Sequence, residues 1–83
     1  MYYVYILKSK KDNKHYIGST HDLKRRLNEH QLGKVESTKL RKPFLLEYYE
    51  AYRSKELACR QELLYKTGQG RRILKKRLQE EMM

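Results

Sequence analysis

The apolar positions at the start of the chain predict a β-hairpin. Residues 2–8 are rich in aromatic and β-branched side chains, which strands favour, and residues 15–18 continue that composition. The segment 10–13 between them contains Asp and Asn, which are typical of turns. These three segments therefore predict two antiparallel strands joined by a short loop.

Leucine spacing predicts that a helix follows the hairpin. Leu23 and Leu27 lie one helical turn apart within residues 22–32 and form a narrow apolar stripe. Thr20 or Asp22 can cap the start of this helix, because their side-chain oxygens accept hydrogen bonds from free backbone N–H groups.

The second half of the chain predicts a third strand and another helix. Beyond a polar loop, Pro43 introduces the apolar run 44–52, which predicts a strand. Ser54 can cap a helix that runs through Lys66. The residues spaced to face the interior from this helix are Leu57, Ala58, Gln61, Leu64 and Tyr65.

A last helix completes the pattern. Gly68 and Gly70 are expected to end the preceding helix, and residues 71–80 are expected to form the final one. Its inward side chains are expected to be Ile73, Leu74 and Leu78. The order ββαβαα predicts an α+β fold, in which helices flank a small three-stranded antiparallel sheet.

Length and charge add further constraints. Eighty-three residues suffice for one domain, which we expect to span residues 1–83. Twenty Lys and Arg against ten Asp and Glu give a formal net charge of +10. This excess attracts polyanions and indicates nucleic acid as a partner, but charge alone does not separate a nuclease from a passive binding protein.

Cysteine content and hydropathy indicate the cellular compartment in which we expect the protein. The single cysteine, Cys59, excludes an internal disulfide and a Cys-based zinc site. The apolar start lacks a basic leader and a small-residue cleavage site, and no segment approaches the ~20 apolar residues of a membrane span. These features favour a reducing cytoplasm.

The hairpin and the first helix carry a spaced set of reactive side chains. Tyr3-Val4-Tyr5 lies on the first strand and Tyr16-Ile17-Gly18 on the second, Arg26 and His30 follow on the helix, and Glu62 lies far downstream. This pattern resembles the GIY-YIG nuclease superfamily, especially its small single-domain branch, over nearly the whole chain. The first tripeptide takes the place of the family's Gly-Ile-Tyr, and the second matches Tyr-Ile-Gly in full.

The resemblance implies a GIY-YIG-like fold and an enzymatic function. It implies hydrolysis of a phosphodiester bond with one divalent metal, Mg²⁺ or Mn²⁺, bound at Glu62. It also implies that Tyr16 or Tyr5 accepts the proton of the attacking water, and that Arg26 and His30 belong to the catalytic set.

The geometry of the predicted hairpin supports this set independently. If the loop holds four residues, Tyr5 lies opposite Gly18 and diagonal to Tyr16, so both phenols share one face. Gly18 has no side chain, which allows a phosphate backbone to approach closely, and we expect Gly18 and Ser19 to contact nucleic acid. Ser19 stands where some excision-repair relatives carry a lysine, so activation of the base by a lysine is not expected.

Arg26 and His30 lie one turn apart on the first helix. A guanidinium matches phosphate geometry and can stabilise the charge of the transition state, whereas the alternative is an ordinary solvated arginine. For His30, the alternative to a catalytic role is a histidine at the edge of the core that hydrogen-bonds a tyrosine.

Glu62 lies at the margin of the inward stripe of its helix. A carboxylate suits Mg²⁺ or Mn²⁺, which tolerate several water ligands, and one carboxylate indicates a one-metal site. The alternative is a helical ion pair between Glu62 and Lys66.

Basic residues elsewhere are candidates for contacts with flanking phosphates. They lie in the loop before the third strand, at the end of the second helix and on the last helix. The set is Lys39, Arg41, Lys42, Lys66, Arg71, Arg72, Lys75 and Lys76. Such contacts would be sequence-independent and salt-sensitive, and the alternative for each residue is a solvated surface position.

Functions of different kinds remain open at this point. One is an endonuclease acting on DNA, selective for structure rather than sequence unless a protein partner supplies specificity. Another is a catalytically idle module that binds DNA or RNA. In a third, the basic last helix contacts a protein or a membrane surface. DNA is favoured over RNA as the partner, and the oligomeric state is left open.

Overall fold

The computed structural model describes residues 1–81 and contains three strands and three helices in the order ββαβαα. They are β1 (Tyr2–Ser9), β2 (His15–Thr20), α1 (Leu23–Gln31), β3 (Phe44–Tyr52), α2 (Lys55–Tyr65) and α3 (Gly68–Glu81). The α+β class and the antiparallel sheet are confirmed. The predicted domain also included residues 82 and 83, which lie outside the described range. Within residues 1–81, no helix is long and apolar enough to cross a membrane.

β1 is the central strand of the sheet, and β2 and β3 form its two edges. Tyr5 pairs with Gly18 and Leu7 pairs with Tyr16, so the predicted register of the hairpin is confirmed. Directly paired residues of antiparallel strands point to the same face, which places the Tyr5 and Tyr16 phenols side by side. Their ring centroids lie 6.3 Å apart.

One face of the sheet is covered by α1. Tyr5, Leu7 and Phe44 are buried on this face, and Leu23 and Leu27 of α1 pack against them. The predicted leucine stripe is therefore the contact through which α1 docks. This docking brings the polar side of α1 next to the two phenols.

Both ends of α1 are fixed by specific hydrogen bonds. The Asp22 side chain accepts from the backbone N–H of Arg25 at 3.1 Å, as an N-cap does. At the other end Gly33 has a φ of 76°, and the hydrogen bonds around it form a Schellman motif. The Gln31 amide group bonds both backbone groups of Phe44, which ties the end of α1 to the start of β3.

The opposite face of the sheet is covered by α2 and α3. Val4 and Ile6 of β1 are buried there against Ala58 and Tyr65 of α2 and Leu74 of α3. These positions include three of the residues predicted to face the interior. The sheet therefore lies between helices on both sides.

Three other residues predicted to be inward are exposed. Leu57, Leu64 and Ile73 are 48%, 38% and 38% exposed. Successive helical residues are about 100° apart around the axis, so each of these leucine and isoleucine side chains turns away next to a buried neighbour. The inward line of α2 is centred on Ala58 and Tyr65, and the broader predicted stripe was wrong.

The start of α3 also differs from the prediction. Gly68 and Gly70 lie inside α3, and the Thr67 hydroxyl accepts from the Gly70 N–H at 3.0 Å, as an N-cap does. Gly70 is needed because a Cβ at this position would overlap the carbonyl oxygen of Leu64, whereas a Cβ at Gly68 would meet open space. The glycine therefore permits close packing of α3 on the end of α2.

Glu50 of β3 joins the elements on the α2 and α3 side. Its carboxylate accepts hydrogen bonds from the hydroxyls of Tyr48, Tyr52 and Tyr65 at 2.7, 2.6 and 2.5 Å, and Arg77 lies 3.6 Å away. Burial raises the pKa of the Glu50 carboxyl, but the three hydroxyls and Arg77 outweigh it, so the pKa lies below its usual range.

We expect Glu50→Gln to lower the free energy of unfolding at pH 7 by about 1–3 kcal/mol, because charge-assisted hydrogen bonds are lost. The lowered pKa means that Glu50 stabilises the folded protein above its unfolded pKa, and that this contribution disappears as the pH falls through the folded pKa. Urea unfolding of both proteins should therefore show that their difference in unfolding free energy disappears as the pH falls below about 4.5, the ordinary pKa of a glutamate side chain. Glu56→Gln is the control, because Glu56 is exposed. A difference in unfolding free energy between wild type and Glu50→Gln that does not depend on pH would contradict the expectation.

Substitution of the two α3 glycines should have opposite effects. Gly70→Ala should lower the free energy of unfolding by about 1–3 kcal/mol, since α3 must move away from the end of α2. Gly68→Ala should leave it unchanged or raise it by up to about 1 kcal/mol, because alanine favours helix and meets no neighbour. Thermal unfolding followed by circular dichroism measures both, and equal effects would show that the close contact at Gly70 is wrong.

Candidate active site

The candidate site lies at the open edge of β2, around Gly18 and Ser19. The Tyr5 phenol packs directly on Gly18, where an added Cβ would lie only 2.5 Å from the hydroxyl oxygen. Tyr5 thereby reaches across β2 toward its edge, and it fills the space on this face that the sequence suggested for a phosphate. Contact of Gly18 and Ser19 with nucleic acid stays a prediction.

A buried chain of hydrogen bonds runs from Tyr5 into the loop after α1. The Tyr5 hydroxyl lies 2.9 Å from Nε2 of His30, and Nδ1 of His30 lies 2.8 Å from the Thr38 hydroxyl. His30 and Thr38 are fully buried. The tyrosine contact proposed as an alternative for His30 is thus present, and its catalytic role stays a prediction.

Both Tyr5 and His30 are electrically neutral at pH 7. Burial lowers the pKa of His30 to about 4, with a further contribution from the positive charge of Arg26. Burial also raises the pKa of Tyr5 to about 12, and Arg26 beside it acts in the opposite direction. The site therefore contains a neutral pair next to a permanent cation.

Arg26 lies between the buried pair and solvent. Its side chain is 35% exposed, and its Nη1 donates to Glu29 at 3.1 Å. Hydrogen bonding to Tyr5 is the main cause that raises the pKa of Arg26. Arg26 therefore contacts the candidate site and still presents part of its guanidinium to an incoming group.

Glu62 reaches the same strand from the opposite face. One carboxylate oxygen accepts from the Ser19 hydroxyl at 2.5 Å, and the other accepts from Lys66 Nζ at 2.7 Å. The ion pair considered as an alternative is thus present. The negative charge of Glu62 also contributes, less than burial, to the raised pKa of Tyr5, so the two groups interact electrostatically across β2.

The fold thus brings the predicted residues together at one strand edge. Tyr5 lies on Gly18 from the α1 side, and Glu62 bonds Ser19, the next residue, from the α2 side. Tyr16 lies beside Tyr5 on the α1 side. This arrangement brings two phenols, a guanidinium and a carboxylate near one strand edge, at which Gly18 is buried and Ser19 is partly exposed.

The donor set agrees with one hard divalent cation bound together with substrate. Within residues 1–81, no three His, Cys, Asp or Glu side chains are grouped so as to hold a metal ion. Mg²⁺ commonly uses one or two carboxylates and completes its shell with water and substrate phosphates. Glu62, with a side chain 21% exposed, fits that requirement.

Two of the candidate basic residues of the loop already have acidic partners. Arg41 pairs with Asp12 at 3.0 Å and lies over the Phe44 ring, which fastens the loop to the hairpin turn. Lys39 pairs with Glu36 at 3.0 Å. Their contact with nucleic acid stays a prediction.

The remaining basic candidates occupy different positions. Lys66, Arg71 and Lys75 line a groove between β2 and α3. Arg72 and Lys76 lie outside this groove on α3. Lys42 lies beside Gly33, at the end of α1. Their binding to nucleic acid likewise stays a prediction.

Several contacts of the site were missed from the sequence. Thr38 lies in a loop that reads only as polar, and the bond between Ser19 and Glu62 joins residues far apart in the chain. The hairpin register offered one usable signal, because Ser19 pairs with Val4 and so faces α2. No local signal marks Thr38.

Comparison with known proteins agrees with this geometry. The family model described as the GIY-YIG catalytic domain matches residues 1–78. A UPF0213 protein of Streptococcus agalactiae is 46% identical over 65 residues, which cover 77% of this chain and 73% of the relative. A UPF0213 protein of Staphylococcus haemolyticus is 41% identical over 75 residues, covering 89% and 90%.

A solved structure shows the same fold. The solution NMR structure of a UPF0213 protein from Bacillus halodurans is 39% identical, with a TM-score of 0.57 over 92% of this chain and 84% of that one. The family model, which matches residues 1–78, spans the strands and helices that build the candidate site. The chain therefore belongs to the GIY-YIG family of nuclease-type domains, among the small stand-alone UPF0213 proteins.

Proposed function

We propose that this protein is an endonuclease that hydrolyses phosphodiester bonds in DNA with one divalent metal ion, and that it selects its substrate by structure rather than by sequence. The observation that carries the proposal is the meeting of Tyr5 and Glu62 at Gly18 and Ser19, from opposite faces of an edge strand. A phosphate placed at this edge could contact groups from both faces at once.

Tyr16 is the better candidate for the group that accepts the proton of the attacking water. Tyr5 is buried, its pKa is raised to about 12, and its hydroxyl contacts His30. Tyr16 lies beside it and is only partly buried. In its phenolate form, Tyr16 can take up a proton from water as the water oxygen attacks phosphorus.

Arg26 and Glu62 would stabilise the negative charge that develops during the reaction. The exposed part of the Arg26 guanidinium can donate hydrogen bonds to the phosphate oxygens, whose negative charge increases in the transition state. Glu62 would hold Mg²⁺ or Mn²⁺, which supplies positive charge to the leaving oxygen when bound. Lys66, the present partner of Glu62, would then be free to contact a phosphate.

Tyr5 and His30 position Arg26 and the strand edge. The positive charge of Arg26 beside Tyr5 disfavours a hydroxyl hydrogen that points toward it, so the Tyr5 hydroxyl donates to Nε2 of His30. Neutral His30 then carries its hydrogen on Nδ1 and donates it to Thr38. The Thr38 hydroxyl donates to the carbonyl oxygen of Val35 at 3.5 Å, so its oxygen accepts from Nδ1 and favours the imidazole tautomer that orients Tyr5.

A catalytically idle nucleic-acid-binding module is the second candidate. It is favoured by the two hydrogen bonds that already occupy both oxygens of the Glu62 carboxylate. In this case the fold and the net charge of +10 would serve binding alone.

Nicking of supercoiled plasmid with Mg²⁺ tests the proposal. We expect the wild-type protein to nick, and Tyr16→Phe and Glu62→Gln each to lower the rate about 100-fold or more, since each removes a group acting on the reacting atoms. Tyr49→Phe is the matched control, because Tyr49 is 52% exposed on β3, and it should change the rate less than about threefold.

Two results would count against the nuclease proposal. Nicking that persists in both site variants would assign the activity elsewhere. DNA binding by the folded wild-type protein without cleavage in Mg²⁺ or Mn²⁺ would favour the idle module.

Thr38→Val should disturb the site from a distance. It leaves the Nδ1 hydrogen of His30 without a partner, and we expect a loss of about 1–3 kcal/mol in the free energy of unfolding. Long-range ¹⁵N–¹H correlation spectra should show the Nδ1–H tautomer in the wild type and a mixture in Thr38→Val. Thr38→Ser keeps the hydroxyl and should restore the tautomer; an unchanged spectrum in Thr38→Val would refute the assigned role.

A further inference from the structure

A groove of about 800 Å³ runs between β2 and α3. Five consecutive residues, 13–17, form its wall on the β2 side. Successive strand residues point to opposite faces, so a groove lined by all five follows the edge of the strand and its approach. β2 is an edge strand, and its outer backbone groups have no partner in the sheet.

The groove combines an aliphatic base with a cationic margin. Ile17, Leu74 and Leu78 contribute apolar side chains that also pack against the core. The cations around them are Lys14, Lys66, Arg71 and Lys75. No Asp or Glu is among the described residues that line the groove.

The groove adjoins the candidate active site through two residues. Tyr16 lines it and is also the proposed proton acceptor. Lys66 lines it and forms the ion pair with Glu62 at 2.7 Å. A chain molecule lying in the groove would therefore reach the edge of β2 at the point where cleavage is proposed.

We propose that this groove binds an unpaired DNA strand that flanks the scissile phosphate, with phosphates on the cations and bases or sugars on the aliphatic side chains. The proposal rests on the proposed nuclease function and specifies its substrate class. In a duplex the base faces are stacked inside and the outer surface is phosphate, so the apolar base of the groove would have no matching group. In an unpaired strand each base exposes a flat apolar face.

The two pairs of cations on α3 allow a matched test. Arg71 and Lys75 line the groove, and Arg72 and Lys76 lie one position further along the same helix, outside it. Arg71→Gln/Lys75→Gln and Arg72→Gln/Lys76→Gln therefore remove the same charge from the same element. All four side chains are exposed, so neither double variant removes a core contact.

Fluorescence anisotropy with a labelled single-stranded DNA of about ten nucleotides, in EDTA, measures binding without cleavage. We expect the groove pair to raise Kd at least about tenfold. The outer pair, which the sequence also offered as phosphate contacts, lies outside the groove, so under this proposal it should raise Kd less than about threefold. The groove pair should also reduce the salt slope by about 1.4, since each contact to a single strand contributes ~0.7. An abasic oligonucleotide of equal length should bind about tenfold more weakly than the natural one, because stacking is lost.

Equal weakening by the two pairs would overturn the groove proposal, and so would equal binding of natural and abasic strands. The plasmid assay is independent of this measurement. If the wild type does not nick but the groove pair alone weakens binding, the nuclease function fails and the binding site stands. If nicking occurs while the two pairs behave alike, only the groove proposal fails.

Discussion

The contact between the Tyr5 phenol and Gly18 is the constraint on which the site depends. The hairpin register sets the two residues opposite each other, and the absence of a side chain at Gly18 lets the phenol pack directly on β2. From that position its hydroxyl hydrogen-bonds His30 and interacts with Arg26. The ring at the strand edge therefore also orients α1. A β-carbon at Gly18 would displace the ring and separate these groups.

Burial and charge divide the site into two kinds of groups. Tyr5 and His30 lie in the low-dielectric interior, where both are kept neutral, and they hold their neighbours in place. Arg26 and Glu62 remain partly exposed and carry opposite charges at the strand edge. The interior pair needs no charge to act, because hydrogen bonding alone fixes its geometry.

Sequence reasoning was successful where local pattern decides the outcome. The hairpin register was predicted on the condition of a four-residue loop, and the structure has that register. The caps are Asp22, one of the two residues proposed for the first helix, and Ser54, whose side chains accept backbone hydrogen bonds. Sequence reasoning failed where packing of one element on another decides: Gly70 looks like a helix breaker until the carbonyl of Leu64, at the end of the preceding helix, is seen beside it.

The same limit applies to the candidate site. Tyr5, Tyr16 and Arg26 were identified by spacing within one short segment and by family resemblance. Thr38 could not be identified, because a threonine in a polar loop has no periodicity that marks it as buried. The Glu50 network was missed for a related reason, since its tyrosines come from two elements and only the fold collects them.

The division of the site between the two faces of the sheet has a consequence for biosynthesis. The ribosome makes the hairpin and α1 first, and the helix that bears Glu62 emerges only after β3 is complete. A nascent chain that has folded its first half thus holds the phenols and Arg26 but lacks the carboxylate. Under the proposed function, hydrolytic competence arises late in translation, which would spare nearby nucleic acid from an unfinished enzyme.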